Sequence, residues 1–288
     1  MIELIVNPTA GNGRARATGE SIAALLEERG IPCQVHYTTQ PRHATTLARE
    51  AAQRGAQTVI ACGGDGTITE TAAGLRGTRT ALGIIPSGTG NDFIKSVGVP
   101  KDWKAALEFI LSHPARPVNT GLVNDELFLN VCGAGFDVMT LDYVDGFKKR
   151  MRGLWPYLFA LLRAIFTYHP IAMHIEIDGQ APMDGNYLLC SVGNGRYIGG
   201  GIPITPLASV EDGEFDILVV DGVPRWRIPF YLPSLMLGTL HKRKPAHRYS
   251  AKACRLTSPA MRINLDGEIR TMEDVRFVCE EDALLLHW

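Results

Sequence analysis

The first half of the sequence alternates short β-branched or apolar runs with amphipathic segments, and this alternation restricts the fold more than any other feature. The runs predict strands, and the amphipathic segments between them predict helices. The predicted strands cover residues 2–6, 34–37, 58–62 and 81–85. Alternation of this kind is typical of a parallel sheet that is covered by helices.

Capping and stop residues predict where these helices begin and end. Thr18 is predicted to cap a first helix that ends at Gly30, and a second helix covers residues 43–54. Asp102 is predicted to cap a further helix that ends before Pro114. The first half therefore supplies the helices that a parallel sheet needs on its faces.

Three loops rich in glycine and small residues each follow a predicted strand, at residues 7–13, 63–67 and 86–92. Because the carboxyl ends of parallel strands share one edge, we expect these loops to converge there. Glycine lets backbone N–H groups approach an anion closely, and helix N-termini favour negative charge, so phosphate is the expected ligand. Asp65 would repel a bare phosphate, which suggests an intervening magnesium ion, water or ribose hydroxyl.

Composition and motifs exclude several classes of protein. The chain has 288 residues and a net charge of -1, which argues against a generally basic nucleic-acid binder. Six scattered cysteines without a C-x-x-C pair indicate neither a zinc site nor a disulfide framework. The first residues lack the basic region of a signal peptide, and no apolar run reaches the ~18 residues of a membrane span. We therefore expect a cytoplasmic protein.

Four motifs together resemble the diacylglycerol kinase and sphingosine kinase superfamily. They are GGDGT at 63–67, PSGTGNDF at 86–93, the stretch from GGGI at 199–202 to DGEFD at 212–216, and NLDGE at 264–268. GGDGT alone would not be specific, since NAD kinases and phosphofructokinases carry similar loops. The order of the motifs and the length of the chain are similar to those of the soluble bacterial lipid kinases.

The resemblance implies a two-domain enzyme with its active site in the cleft between the domains. An α/β domain like that of NAD kinase and phosphofructokinase, residues 1–118 and about 283–288, would bind ATP. A β-rich, sandwich-like domain would cover residues 119–282. By position in the motifs, the residues implied to contact ATP are Asn7, Pro8, Gly11, Gly13, Thr39, Gly63, Gly64, Asp65, Gly66, Thr67 and Thr89.

The second half independently predicts a β-rich domain, because its apolar runs are short, several of them alternate with period two, and turn residues separate them. The predicted strands cover residues 121–123, 128–131, 173–177, 187–192, 215–220, 262–265 and 275–278.

Two groups of carboxylates follow in this half. The residues Asp266, Gly267 and Glu268 read by themselves as a hairpin turn or as a candidate general base for deprotonating a hydroxyl. The resemblance favours Glu268 as the base, with Asp266 and Asp65 in a metal and water network. In sphingosine kinases the aspartate that matches Asp65 is the candidate base. The resemblance also implies a magnesium site.

In the magnesium site that the resemblance implies, Asp212 would be the side-chain ligand, and the backbone carbonyls of Ser209 and Glu214 would be the other protein ligands.

Two stretches without any acidic residue, 146–175 and 222–265, combine basic with apolar and aromatic residues. Such segments are typical of a membrane interface, where each basic residue near an anionic surface adds about 1 kcal/mol. The alternative is a pair of core helices with solvated ends. The residues concerned include Lys148, Lys149, Arg150, Arg152 and Arg163 in the first stretch, and Trp226, Phe230, Lys242, Arg243 and Lys244 in the second.

The sequence thus predicts an ATP- and magnesium-dependent kinase that phosphorylates a lipid hydroxyl, by default diacylglycerol to phosphatidic acid. Its expected partner is a lipid substrate at an anionic membrane surface, bound peripherally at the inner face, with no nucleic acid; a homodimer is compatible with this. A sphingoid base, ceramide, phosphatidylglycerol or another lipid alcohol are alternative acceptors. An NAD-kinase-like enzyme with a soluble acceptor and a non-catalytic nucleotide- or lipid-binding regulator are the rival functions.

Overall fold

The computed structural model describes residues 1–148 and 155–288, which form two compact units. Unit 1 comprises Met1–Thr120, Val210–Gly213 and Glu280–Trp288. Unit 2 comprises Gly121–Ser209 and Glu214–Cys279.

Unit 1 is an α/β structure in which strands and helices alternate as the sequence predicts. Its elements are β1 (Ile2–Val6), α1 (Arg14–Glu28), β2 (Cys33–Tyr37), α2 (His43–Gln53), β3 (Thr58–Gly63), α3 (Asp65–Leu75), β4 (Ala81–Pro86), α4 (Asp92–Val97), α5 (Trp103–Ser112) and the start of β5 (Ala115–Val123). The end of the last strand, β15 (Glu268–His287), also belongs to it.

The sheet of unit 1 is parallel, with the order β2-β1-β3-β4-β15. Its last strand is supplied by the C-terminal residues, since Leu285 pairs with Ala81 and Leu286 with Leu82. β3 and β4 are almost wholly buried, because helices cover both faces of such a sheet. The carboxyl ends of β1, β3 and β4 consequently lie side by side at one edge.

The expected cap at Thr18 is wrong. α1 begins four residues earlier, directly after Gly13, whose left-handed φ of 87° ends the preceding loop. Thr18 lies inside the helix and donates its hydroxyl to the Arg14 carbonyl oxygen. The expected cap at Asp102 is confirmed, because its side chain accepts hydrogen bonds from Lys104 N and Ala105 N.

Unit 2 is rich in antiparallel strands. Its elements are the end of β5, then β6 (Glu126–Phe128), β7 (Val131–Gly135), α6 (Phe136–Lys148), α7 (Trp155–Thr167), β8 (Ile171–Ile177), β9 (Met183–Gly193), β10 (Tyr197–Ile198), β11 (Ile202–Pro203), β12 (Phe215–Asp221), α8 (Ile228–Met236), β13 (Ala246–Ala251), β14 (Ala253–Leu265) and most of β15.

Two long strands of unit 2 change partners along their length. β9 and β14 both pair with β8 at one end and with β7 at the other. The register of β14 shifts between Thr257 and Met261, where the exchange occurs. The two layers that result enclose an inner apolar core that includes Phe128, Phe215 and Phe277. The predicted sandwich-like second domain is confirmed.

One predicted strand of unit 2 is divided. The expected strand at 128–131 is split between β6 and β7, because the backbone of Leu129 and Asn130 is bound by side chains. Leu129 N and Asn130 N donate to the Asp266 carboxylate. The Leu129 carbonyl oxygen accepts from Asn194 Nδ2 at 2.7 Å.

The helices of unit 2 cover one side of the sandwich over a second apolar cluster, which includes Phe136, Tyr168 and Leu240. Lys149, Arg150 and Arg152, predicted to flank a membrane-interface segment, lie outside the described residues. None of the helices described in 1–148 and 155–288 combines the length and the apolar character needed to cross a bilayer.

Candidate active site

Three loops of unit 1 meet at the carboxyl ends of β1, β3 and β4, and we call residues 7–13, 63–67 and 86–92 the cradle. Asn7 Nδ2 donates to Thr67 Oγ1 at 3.1 Å, which ties the first loop to the second. A Cβ added to Gly11 would lie 2.3 Å from the Ser87 carbonyl oxygen, so the first and third loops are in contact. The convergence expected from the strand order is therefore present in the structure.

The glycines of the cradle serve close packing as well as ligand access. A Cβ on Gly88 would lie 2.5 Å from Gly64 Cα, and one on Gly63 would lie 2.6 Å from Thr67 Oγ1. Real Cβ atoms do not approach so closely, so these positions need glycine in order for the loops to touch. Gly66 differs, because its absent Cβ would meet no atom within 4 Å. The space beside Gly66 is open to a ligand.

The two longer helices that start in the cradle lack a side-chain cap. α1 follows Gly13 and α3 follows Gly64, and in this described part of the chain neither residue makes a side-chain hydrogen bond to the helix start. At the start of α1, Arg14 N and Ala15 N already donate to the carbonyl oxygens of Gly11 and Ala10. The first N–H groups of α3 and the positive end of its dipole are available to an anion.

Asp65 lies at the centre of the cradle and joins the second loop to the third. Its Oδ1 accepts hydrogen bonds from Asp92 N at 2.9 Å and from Phe93 N at 3.4 Å. Burial raises the pKa of the Asp65 carboxyl above its usual value, the N–H groups of the third loop lower it, and the neighbouring Asp92 carboxylate raises it further. A bound cation would offset both the burial and the repulsion.

Asn91 and Asp92 of the third loop and Lys95 of the adjacent α4 also shape the cradle, although the sequence did not single them out. Lys95 Nζ donates to Asp92 Oδ1 at 2.7 Å and to the Gly90 carbonyl oxygen at 3.1 Å. Asn91 has a left-handed φ of 48°, and its Oδ1 is buried with no hydrogen-bond partner in the described residues. Their position in or next to a glycine-rich loop that follows a buried strand was the signal that could have identified them.

Glu70 on α3 is another residue that the sequence did not single out, and its carboxylate binds the backbone of the loop before α2. Its carboxylate accepts hydrogen bonds from Arg42 N at 2.9 Å and Ala44 N at 3.2 Å. The adjacent loop carries Thr39, whose N–H donates to His43 Nδ1 at 3.2 Å. Glu70 thus fixes the predicted ATP-contacting Thr39 relative to the cradle. The remaining predicted contacts lie on cradle loops: Pro8 and Gly13 on the first, and Thr89, which is exposed, on the third.

Asp266 in unit 2 occupies a two-residue hairpin between β14 and β15. Asp266 and Gly267 both have positive φ, of 43° and 102°, as tight hairpin turns require. The Asp266 carboxylate accepts three backbone N–H groups, from Leu129 at 2.7 Å, Asn130 at 3.0 Å and Val131 at 3.1 Å. These contacts make it an anchor for the segment between β6 and β7, whereas its predicted role in catalysis stays a prediction.

Glu268 follows in the same hairpin and is open to solvent, with 73% of its side chain exposed. Its Oε2 accepts a hydrogen bond from Arg270 Nη2 at 2.9 Å. Arg270 also binds both carboxylate oxygens of Glu126. The guanidinium therefore positions Glu268 without burying it, and the assignment of Glu268 as a base stays a prediction.

The predicted magnesium ligands fall into both units. In unit 1, Asp212 is exposed, and the backbone beside it is held by the Asn119 carboxamide oxygen, which accepts from Gly213 N at 2.6 Å in its better orientation. In unit 2, Glu214 Oε2 accepts from Ser250 Oγ at 2.6 Å, and Ser209 is half-buried. Within residues 1–148 and 155–288, no three His, Cys, Asp or Glu side chains form a metal cluster.

The α/β unit that carries the cradle and the sandwich-like β unit together define a two-domain protein with an NAD-kinase-like fold. Yeast NADH kinase shares this fold with a TM-score of 0.52 at 13% identity, over 99% of this chain and 82% of that chain. A structure from Bacillus anthracis str. Sterne described as a diacylglycerol kinase gives a TM-score of 0.82 at 28% identity, over 100% of this chain and 96% of that one.

The sequence matches narrow this class to one family. Residues 1–123 match the diacylglycerol kinase catalytic domain, and residues 130–287 match the YegS C-terminal NAD kinase beta sandwich-like domain. The chain therefore belongs to the diacylglycerol kinase catalytic-domain family, which confirms the resemblance. It is a lipid kinase, a phosphotransferase of a class that uses ATP.

Named relatives agree with this family. "Diacylglycerol kinase" of Bacillus subtilis (strain 168) is 32% identical over 96% of this chain and 92% of its own length. "Probable lipid kinase YegS-like" of Cronobacter sakazakii is 34% identical over 90% of this chain and 87% of its own length.

Proposed function

We propose that this lipid kinase transfers the γ-phosphoryl group of ATP, with magnesium, to the hydroxyl of diacylglycerol and so forms phosphatidic acid for phospholipid biosynthesis. The observation that carries the proposal is the cradle, in which three loops meet beside Asp65 on the unit-1 sheet. The acceptor follows from the relatives, since proteins of Bacillus subtilis and Mycobacterium tuberculosis at 32% and 28% identity are named diacylglycerol kinase. The enzyme would act as a peripheral protein on the cytoplasmic face of the membrane.

The cradle suits the phosphates of ATP because it offers hydrogen-bond donors and little side-chain bulk. The N–H groups at the start of α3 would bind phosphate oxygens, and the open space at Gly66 would admit them. Phosphoryl transfer depends on positioning and on neutralising charge, and such a set of donors contributes to both.

Magnesium is supported by the electrostatics of Asp65. A half-buried carboxylate with a raised pKa beside Asp92 is destabilised when ionised, and a hydrated Mg²⁺ would offset that cost. Bound there, the ion would neutralise the charge that develops on the transferring group. Asp212, with the carbonyls of Ser209 and Glu214, remains the second proposed magnesium site.

The proposed base is Glu268, which would take the proton of the lipid hydroxyl. Its carboxylate is exposed, and Arg270 orients it. A positioned carboxylate typically contributes about 10²- to 10⁴-fold to such a step. Glu126 makes the same kind of ion pair with Arg270, which provides a matched control.

The test is transfer of γ-label from ATP to individual lipids in mixed micelles, namely diacylglycerol, ceramide, sphingosine and phosphatidylglycerol, with NAD as the soluble acceptor. We expect label in diacylglycerol, none after chelation of magnesium, and losses of about 10²-fold or more in Asp65→Asn and Glu268→Gln. Glu126→Gln should retain most activity.

Label in another lipid would correct the acceptor, and label in NAD would refute a lipid acceptor. No transfer to any acceptor, with ATP still bound, would indicate a regulator. A Glu126→Gln variant as inactive as Glu268→Gln would show that the ion pair, and not the base, is what both changes disturb.

A further inference from the structure

Large apolar side chains that are exposed concentrate on the helices of unit 2. In the described part of the chain nine such side chains are exposed, and seven of them come from two segments, α7 and residues 226–237. Unit 2 therefore has an apolar surface that its own core does not use. We define the outer apolar face as Phe159, Leu162, Phe166, Trp226, Phe230, Met236 and Leu237.

α7 is apolar on opposite sides. Ala160, Ala164 and Tyr168 lie at intervals of four residues and are buried, as the core side of a helix should be. On the other side, Leu162 is exposed and Phe166 is 74% exposed. A helix whose outer side faces only water normally carries polar residues there, so this side is suited to a second apolar environment.

The segment after β12 has the same character. Ile228 and Ser234 are buried, whereas Phe230 is 71% exposed and Leu237 is 76% exposed. The rings of Trp226 and Phe230 pack edge to face with their centroids 6.5 Å apart. Both rings belong to one ordered aromatic pair at the surface.

Arg225 joins the two segments into one surface. Its Nε donates to the Tyr168 carbonyl oxygen at 2.8 Å, and its Nη1 donates to the Phe166 carbonyl oxygen at 3.0 Å. The guanidinium thus satisfies carbonyl groups at the end of α7 and holds Trp226 next to that helix end. The two segments that carry the outer apolar face therefore meet at this junction.

The charge around this face is positive. Arg163 is exposed and lies over the Tyr143 ring at 4.7 Å, and Arg227 lies over the Trp226 ring at 4.9 Å. The sequence contains no acidic residue in 146–175 or in 222–265. Apolar rings with guanidinium groups beside them match the boundary between lipid chains and anionic headgroups.

We propose that the outer apolar face docks on the surface of an anionic lipid bilayer, with Phe166, Trp226 and Phe230 entering the interface and Arg163 and Arg227 binding headgroups. The inference rests on the proposed function, since a lipid acceptor brings the enzyme to a bilayer. Charge complementarity selects this occupant: a second copy of the chain would bring the same positive charge to the contact and repel it.

The test measures co-sedimentation of the full chain with vesicles of phosphatidylcholine alone and of phosphatidylcholine mixed with phosphatidylglycerol, without nucleotide. We expect binding to the mixed vesicles only, weakened by salt. The double variant Phe166→Ser with Phe230→Ser should bind about tenfold or more weakly, whereas Phe166→Leu with Phe230→Leu should bind nearly as the natural chain does.

Arginine variants separate specific headgroup contacts from overall charge. Arg163→Gln with Arg227→Gln should weaken binding about tenfold and reduce its salt dependence. Arg76→Gln with Arg255→Gln is the matched control, because it removes the same charge from arginines that are paired with Glu280 and Asp274. Equal losses in all of these variants, or no loss in the outer-face variants, would overturn the proposal.

Three further measurements keep the outcomes distinct. Sedimentation velocity on the natural chain and on the serine variant would overturn the proposal if the natural chain is a dimer that only this variant dissociates. Circular dichroism checks that each variant folds. Because vesicle binding needs no turnover, it can succeed where the kinase assay fails. Transfer to a short-chain, water-dispersed diacylglycerol should be unchanged in the serine variant, and loss of that activity would place the face in the active site instead.

Discussion

The carboxylate of Asp266 allows a structural role and a catalytic role to be separated by one substitution. Its three hydrogen bonds from Leu129, Asn130 and Val131 connect the β14–β15 turn to a segment 135 to 137 residues away in sequence. Asp266→Asn changes only one carboxylate oxygen to an amide. Asn-Gly is itself a preferred hairpin sequence, so the turn should still form.

The expected loss follows from which hydrogen bonds the amide can keep. The Asn oxygen can still accept from Asn130 N and Val131 N, but the NH₂ group then faces Leu129 N, which donated at 2.7 Å. One charge-assisted bond disappears, the two others lose the charge, and two donors confront each other. A hydrogen bond to a charged group contributes about 1.5–3 kcal/mol, so we expect Asp266→Asn to destabilise unit 2 by about 2–4 kcal/mol.

Urea unfolding gives the overall stability, and hydrogen exchange of the amides at 129–131 gives the local effect. Asp125→Asn is the matched control, because Asp125 also has positive φ in a two-residue hairpin but is exposed. It should change stability by less than about 0.5 kcal/mol. Unchanged stability and exchange in Asp266→Asn, together with lost activity, would refute the anchor and favour a role in the reaction itself.

Three other changes test the site and the pH dependence. Glu70→Ala should raise the KM for ATP several-fold with little change in kcat, because the N–H groups that it binds lose their partner, and Glu70→Gln should have a smaller effect in steady-state kinetics. Gly88→Ala should destabilise unit 1 by about 1–3 kcal/mol in urea unfolding, whereas Gly66→Ala should leave stability intact and weaken ATP binding measured by calorimetry. Burial raises the pKa of Asp137 to about 6, so the folded chain binds more protons than the unfolded chain between its usual value and 6. Stability should therefore fall by up to about 3 kcal/mol as pH rises through that window, and Asp137→Asn should remove this slope in unfolding curves; an identical slope in the variant would refute the assignment.

Local chemistry accounts for what the sequence predicted well in unit 1. The strands of that unit are runs of β-branched and apolar residues, and Asp102 caps α5 with bonds to residues two and three positions away. The interacting residues lie within a few positions of each other, so a short window of sequence contains both of them. Thr18 looked like a similar cap, but the helix began earlier because glycine ended the preceding loop.

Contacts between residues that are far apart in the chain could not be predicted from local sequence patterns. The strand expected at 128–131 is divided because Asp266, more than 130 residues later, binds its backbone. The same contact gives Asp266 an anchoring role that the sequence did not predict, while its place in the metal and water network stays a prediction. Glu70 was missed because the N–H groups that it binds lie on another segment. Asn91 and Asp92 have side-chain partners within three residues, Gly88 and Lys95, so their signal was local.

The sequence by itself determined the class of unit 1, the three loops that follow its strands and the family to which they belong, because periodicity, glycine and capping residues act locally. Only the tertiary structure decided which glycines exist for packing and which leave space, as Gly88 and Gly66 show. It also decided that α7 and residues 226–237 both expose apolar side chains and meet at Arg225, which binds carbonyl oxygens almost 60 residues away in the chain. Burial and such long-range hydrogen bonds are properties of the folded chain, and no window of sequence contains them.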